Sequence, residues 1–125
     1  MLKKTIKYVD FDGNERTEDF HFNLTKVEVT ELSVSKKEGL ETYVKRIVDA
    51  KDNGEIFNTF KQIIMMAYGE KSPDGRRFIK KDHGEKLADA FVETAAFDQL
   101  ITDLLSDETG KAASDFIQGI LPTNA

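Results

Sequence analysis

The first 24 residues of the chain predict a β-hairpin, which constrains the fold more than any later segment. Residues 4–9 and 16–22 are predicted to form two β-strands, because their large apolar side chains recur at alternate positions. Asp12-Gly13-Asn14 between them favours a turn because these residue types tolerate positive φ. A connecting loop with an odd number of residues puts four large side chains on one face of the hairpin: Ile6, Tyr8, Phe20 and Phe22. An isolated hairpin is marginal in water, so we expect this face to pack against helices or a second subunit.

Amphipathic helices are predicted to follow the hairpin. Thr25 and Glu28 form a capping-box pattern ahead of a short helix near 26–33. The segment Ser35 to Glu38 repeats that pattern, and Asn53-Gly54 is typical of a helix end. The stripe between these signals has helical spacing: Leu40, Tyr43, Val44, Ile47 and Val48.

Four further helices are predicted in the second half of the chain. Residues 55–68 form its most apolar segment. A turn signature, Ser72 to Gly75, then indicates a long loop over Gly69 to Lys81, and Asp82 with Glu85 indicates the start of another helix. Apolar stripes at helical spacing continue to a stop at Leu121-Pro122: Leu87, Ala88, Phe91, Val92; Phe97, Leu100, Ile101, Leu104, Leu105; Ala112, Ala113, Phe116, Ile117, Ile120.

These patterns predict an α+β fold, with an N-terminal β-hairpin followed by a predominantly α-helical bundle of about five or six helices. The chain has 125 residues, the size of one domain. We therefore expect a single domain over residues 1–125, with the hairpin in 1–24 and helices over 25–122.

The composition disfavours several functional classes. The net charge of −5 opposes nucleic-acid binding, which depends on neutralising phosphates. There is no cysteine, so disulfides and thiolate chemistry are excluded. The longest apolar run, Ile63 to Tyr68, is too short to cross a bilayer, and no apolar run follows the first residues as in a signal peptide. We expect a cytoplasmic protein that binds neither membranes nor nucleic acids.

No catalytic or metal site is predicted, and no cofactor is expected. The segment Asp10 to Asn14 resembles a calcium loop, but the sixth and twelfth positions hold Glu15 and His21, so a hairpin turn is the better interpretation. His21 is expected to face solvent and His83 to lie at a helix start. Because no serine or threonine has the context of an activated nucleophile, we predict a protein without enzymatic activity.

One basic cluster, Arg76 to Lys81, has two interpretations. It could contact phosphates or an acidic partner surface. The alternative, which we favour, is a solvated loop whose local field is largely cancelled by nearby acids: Asp74, Asp82 and Glu85.

The segment 55–68 is the predicted partner-binding site. Its apolar residues cover more than one face of a helix, and methionines line adaptable binding grooves as well as cores. Each residue alone fits a core position, whereas the helix as a whole fits a mixed role. The candidate partner-binding residues are Phe57, Phe60, Met65, Met66 and Tyr68.

The ordered segments of the chain resemble the tail assembly chaperones of long-tailed phages and prophages of Gram-positive bacteria. The resemblance rests on the order and spacing of five stretches rather than on one motif, and it spans nearly the whole chain: Thr5 to Arg16, Phe20 to Thr25, Arg46 to Lys51, Ala67 to Lys80 and Ala113 to Pro122.

The resemblance implies a chaperone that binds the tape measure protein and keeps it soluble in the host cytoplasm during tail morphogenesis. It also implies contact with the tail tube protein, self-association into a homo-oligomer, and a longer frameshifted form, of which this chain looks like the short counterpart. The alternative is a structural phage tail or head–tail joining protein, although those are usually richer in strand. A third interpretation is a small regulator that binds nucleic acid, which the negative net charge of the chain disfavours.

Overall fold

The hairpin at the start of the chain has the predicted register. A computed structural model describes residues 1–34, 42, 45–46, 49–50 and 52–122. Strand β1 (Leu2–Val9) pairs antiparallel with β2 (Glu15–Phe22), and Ile6 lies opposite Glu18. Residues 10–14 connect the strands, so the loop is odd and the even-numbered side chains share one face, as predicted. Ile6 and Phe22 are buried on that face, and Tyr8 and Phe20 are half-buried.

The helices and strands that follow alternate along the chain. Helix α1 spans Lys26–Val34, and the described residues between 42 and 50 are also helical. The remaining elements are α2 (Asn53–Ala67), β3 (Tyr68–Lys71), β4 (Phe78–Ile79), β5 (Lys81–Asp82), β6 (Glu85–Lys86), α3 (Leu87–Phe91), α4 (Ala95–Ser106) and α5 (Lys111–Ile120). Strands β1 to β4 form one sheet in the order β1-β2-β3-β4, and β5 and β6 form a separate hairpin.

The predicted loop over Gly69 to Lys81 is wrong, because much of it is β-structure. The chain leaves α2 directly into β3, and the Asn23 N–H donates to the Ala67 carbonyl at 2.8 Å where β3 begins to pair with β2. The predicted turn does form: the Gly75 N–H donates to the Ser72 carbonyl at 2.9 Å, and β4 returns along β3. These strands of two to four residues are too short to show alternation.

Asp82 and Glu85 do not begin a helix, which corrects a second prediction. They are paired residues of the β5–β6 hairpin, and both turn residues between them have positive φ, 51° at His83 and 83° at Gly84. Positive φ at both positions is the geometry of a tight two-residue hairpin turn. Helix α3 begins after it, at Leu87.

Several helix signals are confirmed. The Thr25 hydroxyl accepts from the Glu28 N–H at 3.2 Å, and the Glu28 carboxylate accepts from the Thr25 N–H at 2.9 Å, so the capping box forms. In α4 and α5 the predicted apolar stripes supply most of the buried side chains. The second capping box and the stripe from Leu40 to Val48 lie outside the described residues.

The core forms between the sheet and the helices. Phe22 and Leu24 from the hairpin are fully buried with side chains of α2, α4 and α5, among them Phe60, Leu100 and Ile120. The described residues contain five helices and a four-stranded sheet, so the fold is mixed α+β, not a clear helical bundle. The bundle prediction overlooked β3 and β4, which extend the hairpin into a sheet that helices can cover.

Candidate partner-binding surface

Helix α2 begins earlier than its sequence signals suggested. The Asp52 carboxylate accepts from the Glu55 N–H at 3.2 Å and caps the helix. Asn53 and Gly54 therefore lie in the first turn of α2. The prediction that these two residues end the preceding helix is wrong, because they begin the next one. An acidic cap is favourable there because the first backbone N–H groups of a helix lack intrahelical partners.

One side of α2 is buried and the other is accessible. Six residues form the buried side: Ile56, Thr59, Phe60, Ile63, Ile64 and Ala67. On the other side Phe57 keeps 37% of its surface exposed, Lys61 is exposed and Met65 is half-buried. Residues four apart on a helix are neighbours, so these three form a continuous ridge, which we call the outer ridge of α2. Phe57 and Met65 are separated along the axis by about 12 Å.

The five candidate binding residues do not form one surface. Phe60 is 1% exposed and belongs to the core. Met66 is half-buried and packs against the core. Met65 is also half-buried, but within the described part of the chain it does not pack against the core cluster. Tyr68 is in β3, after the helix has ended. Of the five, Phe57 and Met65 therefore share the outer ridge.

Tyr68 belongs to an aromatic cluster centred on Phe91. The two rings stack with centroids 4.3 Å apart and planes 9° from parallel. Phe20, Phe22 and Phe97 also contact the Phe91 ring, with centroids between 5.2 and 6.0 Å away. Burial of the Tyr68 ring raises the pKa of its hydroxyl, an effect strengthened by Glu70 and Glu18. This cluster joins α3 to β2 and β3, so its first role is structural.

The tip of the hairpin exposes a second aromatic side chain, which the sequence reasoning did not single out. Phe11 is 84% exposed on a loop that Asp10 organises. The Asp10 carboxylate accepts from the backbone N–H groups of Asp12 and Asn14 at 2.9 Å and from Arg16 Nε at 2.5 Å. The hydrogen bond from Arg16, followed by those from the loop backbone, lowers the pKa of Asp10. The predicted turn is thus an ordered loop that holds Phe11 exposed to solvent.

The basic cluster is divided rather than continuous. Lys80 Nζ is 2.5 Å from Glu28 Oε2 and 2.9 Å from the Asn23 carbonyl oxygen, so its charge is neutralised within the protein. Arg76 and Arg77 are exposed, and within the described residues neither side chain has an ion-pair partner. Lys81 is also exposed, so the pairing of Lys80 leaves two arginines and one lysine that together make a weak basic patch.

The two histidines lie apart. His21 is half-buried on β2, opposite Gly69, rather than fully facing solvent as expected. The His83 side chain is 93% exposed in the β5–β6 turn, with Nδ1 2.8 Å from the Asp82 carboxylate. Over the described ranges, no group of three or more histidine, cysteine, aspartate or glutamate residues is placed to hold a metal ion.

Comparison with known protein families identifies the class of the chain. The sequence model of the phage tail assembly chaperone family matches residues 1–125, the whole chain. The chain therefore belongs to the phage tail assembly chaperone family. No curated protein and no solved structure matches it. Among the described residues, no helix combines the length and apolar character needed to cross a membrane.

Proposed function

We propose that this protein binds the tape measure protein of its phage and keeps it soluble during tail assembly, and that the outer ridge of α2 makes the central contact. Membership of the tail assembly chaperone family supports a role with tail proteins. The observation that carries the proposed site is the exposed Phe57 on a helix whose opposite side is fixed in the core.

The ridge has the chemistry of a surface for an apolar helix. Phe57 and Met65 supply two apolar anchors eight residues apart, about two helical turns, a spacing close to that of the i and i+7 anchors of a partner helix. Lys61 lies between them, and within the described residues it has no ion-pair partner. A partner helix with an acidic residue between two apolar anchors would fit this ridge. The thioether of Met65 is flexible, which suits repeated binding to related helical segments.

The remaining details of the role are proposed together with it. The protein acts in the host cytoplasm, without catalysis or a cofactor, and several copies bind along one tape measure. It leaves when the tail tube protein polymerises, and a longer frameshifted form shares the same surface. A structural tail or head–tail joining role is the alternative. A chaperone leaves the assembled tail, whereas a structural subunit remains in it.

Alanine substitutions test the proposed site. Phe57→Ala and Met65→Ala should each weaken capture of the tape measure protein in a pulldown, with losses of about 2 kcal/mol typical of interface anchors. Both should leave the melting temperature nearly unchanged because neither side chain is fully buried. Phe11→Ala is the matched control, since it removes an exposed phenylalanine away from α2.

Phe60→Ala separates binding from folding. It should lower the melting temperature strongly because Phe60 is in the core. The outer ridge is not the site if Phe57→Ala and Met65→Ala capture the tape measure protein as well as wild type does. The same conclusion follows if Phe11→Ala weakens this capture as much as they do.

A further inference from the structure

Strand β1 is an edge strand whose outward backbone groups can be identified from the register. It spans eight residues at one end of the sheet order β1-β2-β3-β4. The Asp10 N–H donates to the Asn14 carbonyl at 2.9 Å next to the hairpin loop. Hydrogen-bonded pairs in an antiparallel ladder recur at every second residue, so the even-numbered backbone groups of β1 face β2. The odd-numbered groups, from Lys3 to Val9, face away from the sheet.

Helices α4 and α5 both pack against β1, and neither takes up the outward backbone groups of the strand in the described structure. At the start of β1, helix α5 lies close by: the Leu24 N–H donates to the Ile120 carbonyl, and a Cβ added at Gly119 would lie 2.9 Å from Leu2 Cδ1. In the part of the chain that is described, the backbone groups of Lys3, Thr5, Lys7 and Val9 have no hydrogen-bond partner. Unpaired edge groups are a template for another strand.

The edge strand is basic in an acidic protein. Lys3, Lys4 and Lys7 lie in β1, which has no acidic residue, whereas the whole chain has a net charge of −5. Within the described residues none of these lysines forms an ion pair. Two of the three carboxylates of β2 have other partners: Asp19 accepts from the Thr5 hydroxyl at 2.6 Å, and Glu18 accepts from the Tyr8 hydroxyl.

We propose that the β1 edge binds an extended acidic segment of a partner protein by strand addition. A strand added antiparallel to β1 places residues opposite Lys3 and Lys7 on the outer face of the sheet, and carboxylates there would form attractive cross-strand pairs. A residue opposite Ile6 falls on the core side of the sheet, where an apolar side chain fits. The partner segment therefore has acidic residues four positions apart, with apolar residues between them.

The same charges argue against a second copy of β1 as the occupant. In antiparallel pairing centred on Thr5, Lys3 of each copy lies opposite Lys7 of the other, and like charges directly opposite are destabilising. The lysines thus act against pairing of the edge with itself while they favour an acidic strand. This binding site is separate from the outer ridge of α2, and its test is independent of the tape measure proposal.

A peptide titration monitored by amide hydrogen exchange tests the inference. The probe is a short synthetic peptide in which glutamates four residues apart alternate with valine and threonine. Bound peptide should slow exchange at the amides of Lys3, Thr5, Lys7 and Val9, which face outward, and should change the already paired even-numbered amides little. Lack of binding, or protection without this odd-numbered pattern, would overturn the proposal.

Charge reversal provides the matched variant. In the double variant Lys3→Glu and Lys7→Glu, affinity for the acidic peptide should fall by about tenfold or more, because two attractive cross-strand pairs become repulsive. The variant should instead bind a peptide with lysine in place of glutamate. If both peptides bind wild type equally, or if a single-stranded DNA oligonucleotide protects the same amides as well as the acidic peptide does, the edge does not select acidic strands and the proposal fails.

Discussion

Lys80 and Glu28 form an ion pair, with Nζ and Oε2 2.5 Å apart, that connects the strand region after β4 to the start of α1. Both side chains are 23% exposed. The other oxygen of the same carboxylate accepts from the Thr25 N–H at 2.9 Å and completes the capping box. Lys80 also donates to the Asn23 carbonyl, so one lysine fixes the chain where the hairpin passes into the first helix.

Because of this ion pair, the free energy of unfolding should depend on pH in the acidic range. Burial alone would raise the pKa of Glu28, but the Lys80 ammonium and the hydrogen bonds from Thr25 outweigh it and hold the pKa below its ordinary value of 4.5. A carboxylate with a lowered folded pKa stabilises the protein above the unfolded pKa, and this contribution is lost as the pH falls through the folded pKa. Wild type should therefore lose stability as the pH falls below about 4.5.

Glu28→Gln isolates the charge in this effect, because glutamine still serves in a capping box. At neutral pH it should lower the free energy of unfolding by about 1–3 kcal/mol, as expected for loss of a charged hydrogen bond. Denaturant unfolding at a series of pH values should show the difference from wild type shrinking in acid. Glu31→Gln, at an exposed position of α1, is the control. A constant difference at all pH values would contradict the account.

The aromatic cluster predicts where the core is most sensitive. Phe91→Ala removes the ring that stacks on Tyr68 and contacts three other phenylalanines. We expect a loss of about 3–5 kcal/mol in unfolding free energy, measured by denaturant titration. Phe11→Ala removes the same side chain from an exposed position and should change stability by less than about 0.5 kcal/mol. Similar losses in the two variants would show that the Phe91 cluster is not part of the core.

Gly69 is required for the close approach of β3 and β4. A Cβ at this position would lie 2.6 Å from both the Ile79 carbonyl oxygen and Phe78 Cε2, and the backbone contact cannot move aside cheaply. Gly69→Ala should therefore destabilise the protein, with a lower melting temperature.

Gly54→Ala is the matched control for Gly69→Ala. Gly54 is in the first turn of α2, where the one described atom that an added Cβ would meet is Asp52 Oδ1 at 3.5 Å. Alanine is the better helix former, so this change should be neutral or raise stability by up to about 1 kcal/mol. Equal melting temperatures for Gly69→Ala and wild type would be inconsistent with the β3–β4 contact.

Sequence patterns predicted the elements that have a local period and missed those fixed by distant contacts. The hairpin register followed from the parity of Ile6 and Phe22, and the capping box at Thr25 and the stripe of α4 were visible in a few neighbouring residues. Strands β3 and β4 were not visible, because their position depends on pairing with β2 and on the absence of a side chain at Gly69.

The candidate site shows the same limit. Its apolar residues indicated that α2 is more than a surface helix, but composition does not tell which side is buried. That depends on which residues the sheet and α4 cover: Phe60 is covered, and Phe57, one turn earlier, is not. Tyr68 was assigned to the helix because aromatic residues fit both helices and strands, and the Phe91 stack that holds it in β3 comes from later in the chain.

The central claim, that the protein keeps a tape measure protein soluble, is tested most directly by co-expression. The soluble fraction of the tape measure protein from the same phage is measured with an empty vector, with wild type, and with the Phe57→Ala Met65→Ala double variant. We predict that wild type raises this fraction clearly above the empty vector and that the double variant, folded by its melting curve, does not. An equal soluble fraction with wild type and with the empty vector would contradict the proposed function.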